Sequence, residues 1–286
     1  MSSPSTAESR ARATWRDNPG SVAPVVLVLG GFLMSPPLYR PFRDRLLRRG
    51  AAGVVVADVW TPDWLLAGFR GLGPIVDRGA QGLRAAVALS RATSASGGAP
   101  VLVIGHSAGG LIARLLTAEQ PFEGRRYAAA PSIGAIVTLG TPHTAAPDTE
   151  FGRRRGGSAI RFANRIVPGA FHAPRVGYLS VAAHGIAGRS DGTGRERTAE
   201  RLYRGILPGH DGEVVEGDGL VPLRAALLAG SRQVVLDDVD HGPGSGGPWY
   251  GADRGLDGWW DEAVTTWRTA LLARIDAGRS PAGKHA

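Results

Sequence analysis

Short apolar runs alternate with amphipathic stretches along most of this chain. Val25-Val26-Leu27-Val28-Leu29, Val54-Val55-Val56-Ala57, Val101–Ile104, Ile133–Leu139, Val176–Ala182 and Gln233–Leu236 read as strands. They are rich in β-branched residues and mostly apolar at consecutive positions, the pattern of strands buried on both faces. Pro37–Arg49, Ile75–Leu89, Ala108–Ala118 and Leu256–Ile275 carry helical periodicity, the second despite Gly79 and Gly82. Trp259, Trp260 and Trp267 on the last of these read as core and rim packing. The alternation predicts an α/β fold with a mostly parallel central sheet and helices on both faces. Two Gly- and Arg-rich stretches, 143–175 and 184–216, interrupt it after strands. Insertions at that end of a parallel sheet surround its usual binding crevice, so both read as lid-like. One domain is expected over 21–275, with disordered tails at 1–20 and 276–286. No internal repeat is visible.

Composition narrows the chemistry. A chain of 286 residues, 43% hydrophobic and 20% charged, has globular values and length for a sizeable core. There is no cysteine, which excludes disulfides and thiolate catalysis. The seven histidines show no metal-ligand spacing, so neither metal nor cofactor is expected. No apolar run reaches the roughly 18 residues that span a bilayer. Residues 1–20 lack the apolar core of a secretory signal, and a cytoplasmic location is the resulting expectation. The net charge of +8 invites a nucleic-acid reading, but the arginines are dispersed and no nucleic-acid partner is expected. The densest basic segment is Arg153-Arg154-Arg155 with Arg161 and Arg165. It reads as a solvated loop or, alternatively, as a peripheral contact for an anionic membrane.

The most informative motif is Gly105-His106-Ser107-Ala108-Gly109. With 42 glycines in the chain the bare pattern is weak. Its context is not: a buried-type strand precedes it and a helix follows, which makes Ser107 the apex of a nucleophile elbow. A serine needs a base, and the base needs an orienting carboxylate. His241, in Asp240-His241-Gly242 after the last strand, is the base candidate. His143, His172, His184 and His210 precede that strand, and His106 suits packing under the elbow. Asp218, in Gly217-Asp218-Gly219-Leu220-Val221-Pro222, is the acid candidate, with Asp211 as rival. Asp240 would struggle to reach the ring of its neighbour. The N–H groups of Ala108 and Phe32 are the candidate oxyanion donors, with Gly30-Gly31 permitting close backbone approach. Gly31, Leu33, Met34 and His106 are expected on the substrate side. Leu33, Met34 and the 143–175 segment would line an apolar acyl pocket.

Over roughly residues 24–270 the chain resembles the lipase-like branch of the α/β-hydrolases. This branch includes the bacterial triacylglycerol lipases and the group related to GPI inositol-deacylases. The resemblance is carried by Val28-Leu29-Gly30-Gly31-Phe32, Gly105–Gly110, Leu139-Gly140-Thr141-Pro142-His143, Gly217–Pro222, Asp240-His241-Gly242 and Trp249-Tyr250-Gly251. It implies an α/β-hydrolase fold, Ser107 as nucleophile, Asp218 as acid and His241 as base. It also implies oxyanion donors at Phe32 and Ala108, and no metal in the chemistry. The family often has His-Gly where this chain has Gly30-Gly31, which puts loop rigidity in question. The two antiparallel edge strands of larger members are expected to be missing. The implied activity is hydrolysis of small-molecule or lipid esters through an acyl-enzyme. The alternatives are an acyltransferase or thioesterase with the same triad, and a ligand-binding relative without turnover.

Overall fold

The computed structural model describes Trp15, Arg16, Asn18, Gly20 and residues 22–94, 98–207, 214–245 and 247–279. Its centre is a six-stranded sheet. The strands, in chain order, are β1 (Val25–Leu29), β2 (Gly53–Val56), β3 (Val101–His106), β4 (Ile133–Leu139), β5 (Gly177–His184), β6 (Ile186–Gly188), β7 (Val215–Gly217) and β8 (Arg232–Asp237). Spatial order in the sheet is β2-β1-β3-β4-β5-β8, and every neighbouring pair is parallel. β6 and β7 form a separate antiparallel pair. The helices are α1 (Arg40–Arg48), α2 (Thr61–Arg70), α3 (Gly73–Thr93), α4 (Ala108–Thr117), α5 (Glu150–Arg153), α6 (Arg155–Ile166), α7 (Gly194–Ile206), α8 (Leu223–Ala226) and α9 (Asp253–Arg279).

Alternate side chains of each strand feed opposite faces of the sheet. Val25, Leu27 and Leu29 of β1 join Val101 and Val103 of β3 in one core, capped by residues of α3, α4 and α6. Val26 and Val28 join Leu102, Ile104 and Val137 in the other, capped by Phe42 and Leu46 of α1 and by Trp259, Trp267 and Leu271 of α9. Two-sided burial is why the inner strands are apolar without alternation. β8 lies at the sheet edge and is mostly exposed or half-buried. α3 tolerates its glycines because they seat it closely: a Cβ at Gly79 would lie 2.9 Å from Ile112, and one at Gly82 would lie 3.0 Å from Leu27.

Helix α2 went unread in the sequence pattern, although Pro62 in its first turn and Asp63, which accepts the Trp60 N–H at 2.8 Å, are start signals. The 143–175 stretch contains α5 and α6. Within 184–216, β6, α7 and β7 pack together, with the Tyr203 hydroxyl donating to Ile186 O at 3.1 Å. No helix of the described residues is long and apolar enough to cross a membrane.

The order β2-β1-β3 means that successive connections leave β1 in opposite directions. The crevice at such a switch point is where ligands of open α/β sheets bind. Phe32 follows β1 and Ser107 follows β3, so the two flank that crevice.

Trp267 is fully buried, its indole N–H donates to Pro100 O at 2.8 Å, and Gly134 leaves the space for its ring. Trp267→Ala is expected to lower unfolding free energy by about 3–5 kcal/mol, read by urea denaturation.

Candidate active site

Ser107 lies between β3 and α4 with φ 53° and ψ −124°, a conformation costly for any residue with a side chain. Packing holds it there. The Ser107 N–H donates to Leu139 O at 2.8 Å, and the Thr141 hydroxyl donates to Ser107 O at 2.8 Å. The flanking glycines allow the strand and helix to touch: a Cβ at Gly105 would lie 2.4 Å from Gly110 Cα, and one at Gly109 would lie 2.1 Å from Leu29 O.

Asp218 follows β7 and is almost wholly buried. Its Oδ1 accepts the N–H groups of Leu220 at 3.0 Å and Val221 at 2.8 Å. Its Oδ2 accepts the Tyr250 hydroxyl at 2.9 Å and lies 2.8 Å from His241 Nδ1. Burial alone would raise this carboxyl, but the imidazole of His241 and these hydrogen bonds outweigh it and hold it below its ordinary value. Burial and the carboxylate push the Tyr250 hydroxyl well up, so it stays a donor. An ionised Asp218 only accepts, so the hydrogen between them sits on His241 Nδ1, which directs Nε2 of the neutral tautomer to the acceptor role. The His241 ring lies 5.1 Å, centroid to centroid, from that of His106, next to the elbow.

The loop after β1 approaches the elbow closely. A Cβ at Gly31 would sit 3.1 Å from Ser107 Cβ. Leu33 holds φ 59°, and its carbonyl accepts the Thr61 hydroxyl at 2.8 Å. Ala108 opens α4, so its N–H has no acceptor within the helix. Phe32 is 59% exposed, and its ring meets Trp64 edge-on at 5.5 Å.

Beside these groups lies an apolar cavity of about 700 Å³. Phe32, Trp64, Ala108, Leu111, Leu115 and Ile160 contribute to its wall, with Arg153 and Arg154 also lining it. The 143–175 segment contributes to this wall through Arg153 of α5, Arg154 and α6, and α2 contributes Trp64, Leu65, Ala67 and Gly68, while Leu33 and Met34 are not part of the lining. Met34 is half-buried, with its sulfur 3.6 Å from the Tyr39 hydroxyl. His106 is fully buried, with both ring nitrogens engaged by protein groups.

The rival residues sit elsewhere. Asp240 pairs with Arg195 and accepts the Gly247 N–H at 3.0 Å. His143 is buried beside Thr138, and His184 faces Asp237 at 2.7 Å. His210 and Asp211 fall outside the described residues. In the basic segment, Arg153 bonds Asp148 O, Arg161 bonds Gly152 O at 2.6 Å, and Arg165 lies over the Phe162 ring. Among the described residues no cluster of metal-ligating side chains is present.

Residues 86–153, from the second half of α3 through the elbow to α5, match the model of the PGAP1-like alpha/beta domain family. The mature form of the Bacillus licheniformis lipase BlEst2 superposes with a TM-score of 0.52 at 15% identity, over 81% of this chain and 89% of that one. The chain has an α/β-hydrolase fold. The Legionella pneumophila phospholipase PlaB, in complex with thio-NAD, superposes with a TM-score of 0.50 at 13% identity. That match covers 88% of this chain and 62% of the phospholipase. At such identities the likeness speaks for the hydrolase fold alone. No curated protein matches the chain.

Tyr39, Tyr250 and Trp64 are the residues around this site that sequence reasoning gave no role. Aromatic residues in an apolar fold read as core, and only the folded chain reveals which hydroxyl meets a carboxylate.

Two buried histidines give the hydrolase fold a defined acid response. Burial, then repulsion from His241, lowers His106 from 6.5 to about 3. Burial, then Arg114, holds His143 well below its ordinary value. Below pH 6.5 the unfolded chain takes up protons that the folded chain excludes, so both contributions weaken as pH falls. Stability by urea denaturation is expected to decline from pH 6.5 downward. His106→Gln is expected to make that decline shallower.

Proposed function

We propose that the chain is a serine ester hydrolase acting on esters with an extended apolar acyl group. Ser107 is the nucleophile, His241 the base, Asp218 the orienting acid, and the N–H groups of Phe32 and Ala108 the oxyanion donors. The observation that carries the reading is the strained elbow of Ser107 at the sheet's switch point, beside a His241–Asp218 pair at 2.8 Å. The fold shared with a lipase and a phospholipase adds support.

The chemistry follows from the groups. His241 Nε2 takes the Ser107 hydroxyl proton as the oxygen attacks the ester carbonyl. Negative charge forms on the carbonyl oxygen and is met by the two backbone N–H groups, one of them at a helix N-terminus. Collapse releases the alcohol, which takes the proton from His241, and leaves an acyl-Ser107 ester. Water, deprotonated by His241, then attacks that ester, and as the bond to Ser107 breaks and the acid leaves, His241 returns the proton to the Ser107 oxygen. Asp218 stays ionised and stabilises the imidazolium. The cavity beside Phe32 and Ala108 suits the acyl chain because its volume of about 700 Å³ falls in the range of small-molecule sites and its wall is chiefly apolar.

A fluorophosphonate is expected to add once to the wild-type protein, by intact mass, and not to Ser107→Ala. Absence of an adduct on folded wild type would overturn the hydrolase reading in favour of a ligand-binding protein. Gly68 lines the cavity, and a Cβ there meets nothing within 4 Å. Gly68→Trp should fill the acyl site. It is expected to lower kcat/KM for long-chain p-nitrophenyl esters at least about tenfold, while acetyl and butyryl esters change by less than about threefold.

A further inference from the structure

Tyr39 and His106 react with nothing in the mechanism above, yet they lie between its two halves. Tyr39, in the short turn before α1, is 1% exposed, and His106, at the end of β3, is fully buried. The Tyr39 hydroxyl oxygen is 2.8 Å from Gly31 N and 2.7 Å from His106 Nδ1. His106 Nε2 is 2.7 Å from the carbonyl oxygen of His241.

The hydrogens follow by elimination. A carbonyl oxygen only accepts, so His106 Nε2 carries the hydrogen. In a neutral ring Nδ1 is then an acceptor, and the Tyr39 hydroxyl must donate to it. The Tyr39 oxygen in turn accepts the Gly31 N–H. Met34 Sδ, at 3.6 Å, is the competing acceptor, but sulfur accepts weakly. Burial keeps the ring neutral, and burial keeps the Tyr39 hydroxyl protonated. The result is one directional chain of three hydrogen bonds, from the Gly31 N–H to the His241 carbonyl.

We infer that Tyr39 and His106 are positioning residues that fix the oxyanion loop and the base loop relative to each other. This rests on Ser107 being the nucleophile. The loop at Gly31 needs holding because Leu33, two residues on, sits at φ 59°. The base loop is gripped on its other side by Asp218, whose backbone carbonyl accepts the His241 N–H at 3.0 Å and whose carboxylate meets the ring. His106 supplies the opposing grip. The device needs glycine at position 30, where a Cβ would lie 2.8 Å from Tyr39 Cε2. Small errors in the placement of a donor or base cost large factors in rate, so the relay acts on turnover rather than on binding.

The test begins with fluorophosphonate labelling of wild type, whose failure would sink the nucleophile reading and not this one alone. With labelling established, Tyr39→Phe is expected to lower kcat about 10- to 100-fold with KM within about threefold. Fluorophosphonate should react more slowly by the same factor. His106→Phe should do the same, and His106→Gln, which keeps a donor toward the His241 carbonyl, should recover part of the loss. Nitrogen NMR of histidine-labelled wild type at pH 5 should show, among its neutral rings, one protonated at Nε2 that is assigned to His106 by its loss in His106→Gln. The inference is overturned if folded Tyr39→Phe keeps kcat within twofold, if His106→Gln recovers nothing, or if that ring is protonated at Nδ1. The NMR result decides even where Tyr39→Phe fails to fold.

Discussion

The backbone of Ser107 is the constraint on which the candidate site depends. A φ of 53° with ψ −124° is unfavourable for serine, and the chain holds it only because the alternatives are blocked. Strand β3 and helix α4 touch across Gly105 and Gly110, and α4 touches β1 across Gly109, with no room for a methyl group at any of the three. The strain therefore draws on the packing of the whole sheet. In return the hydroxyl stands at the end of β3, in the crevice where the direction of winding reverses.

Around that point the site is assembled from loops with separate anchors. The Asp218 loop takes two N–H groups onto its own carboxylate and is braced by α7, where the Tyr203 hydroxyl accepts the Gly219 N–H at 2.8 Å. The His241 loop hangs between Asp218, His106 and the Asp240 contacts. The loop after β1 is tied to α2 through Thr61 and to Tyr39 through Gly31. Buried neutral rings and phenols do much of this tying. They provide direction without the desolvation penalty of buried charge, at the cost of acid stability.

The apolar cavity shows how the same elements also shape what the site can hold. One wall is α2, an element fixed by Pro62 and Asp63 at its start and by Trp64 against the core. The other is α6, from the Arg-rich stretch that reads in the sequence as lid-like. Neither wall carries chemistry, and their closeness to Phe32 and Ala108 is a product of packing.

Much of the fold was legible along the chain. Runs such as Val25–Leu29 and Ile133–Leu139 coincide with strands because two-sided burial leaves an unbroken apolar record. The elbow was legible because only glycine fits where strand and helix touch. Asp218 and His241 could be singled out because each lies in a short turn beside glycines after a strand, and the fold brings these two together at 2.8 Å. Helices α2, α6 and α7 were harder to read, because short polar-rich helices draw their stability from tertiary contacts rather than from a periodic pattern. Tertiary structure alone decided that Tyr39 bonds His106, that Tyr250 bonds Asp218, that Asp240 faces Arg195, and that Leu33 and Met34 stay off the cavity wall. The sequence by itself determined which residues could do chemistry. Which of them meet was decided by packing, because contacts between residues far apart in the chain leave no local periodicity to read.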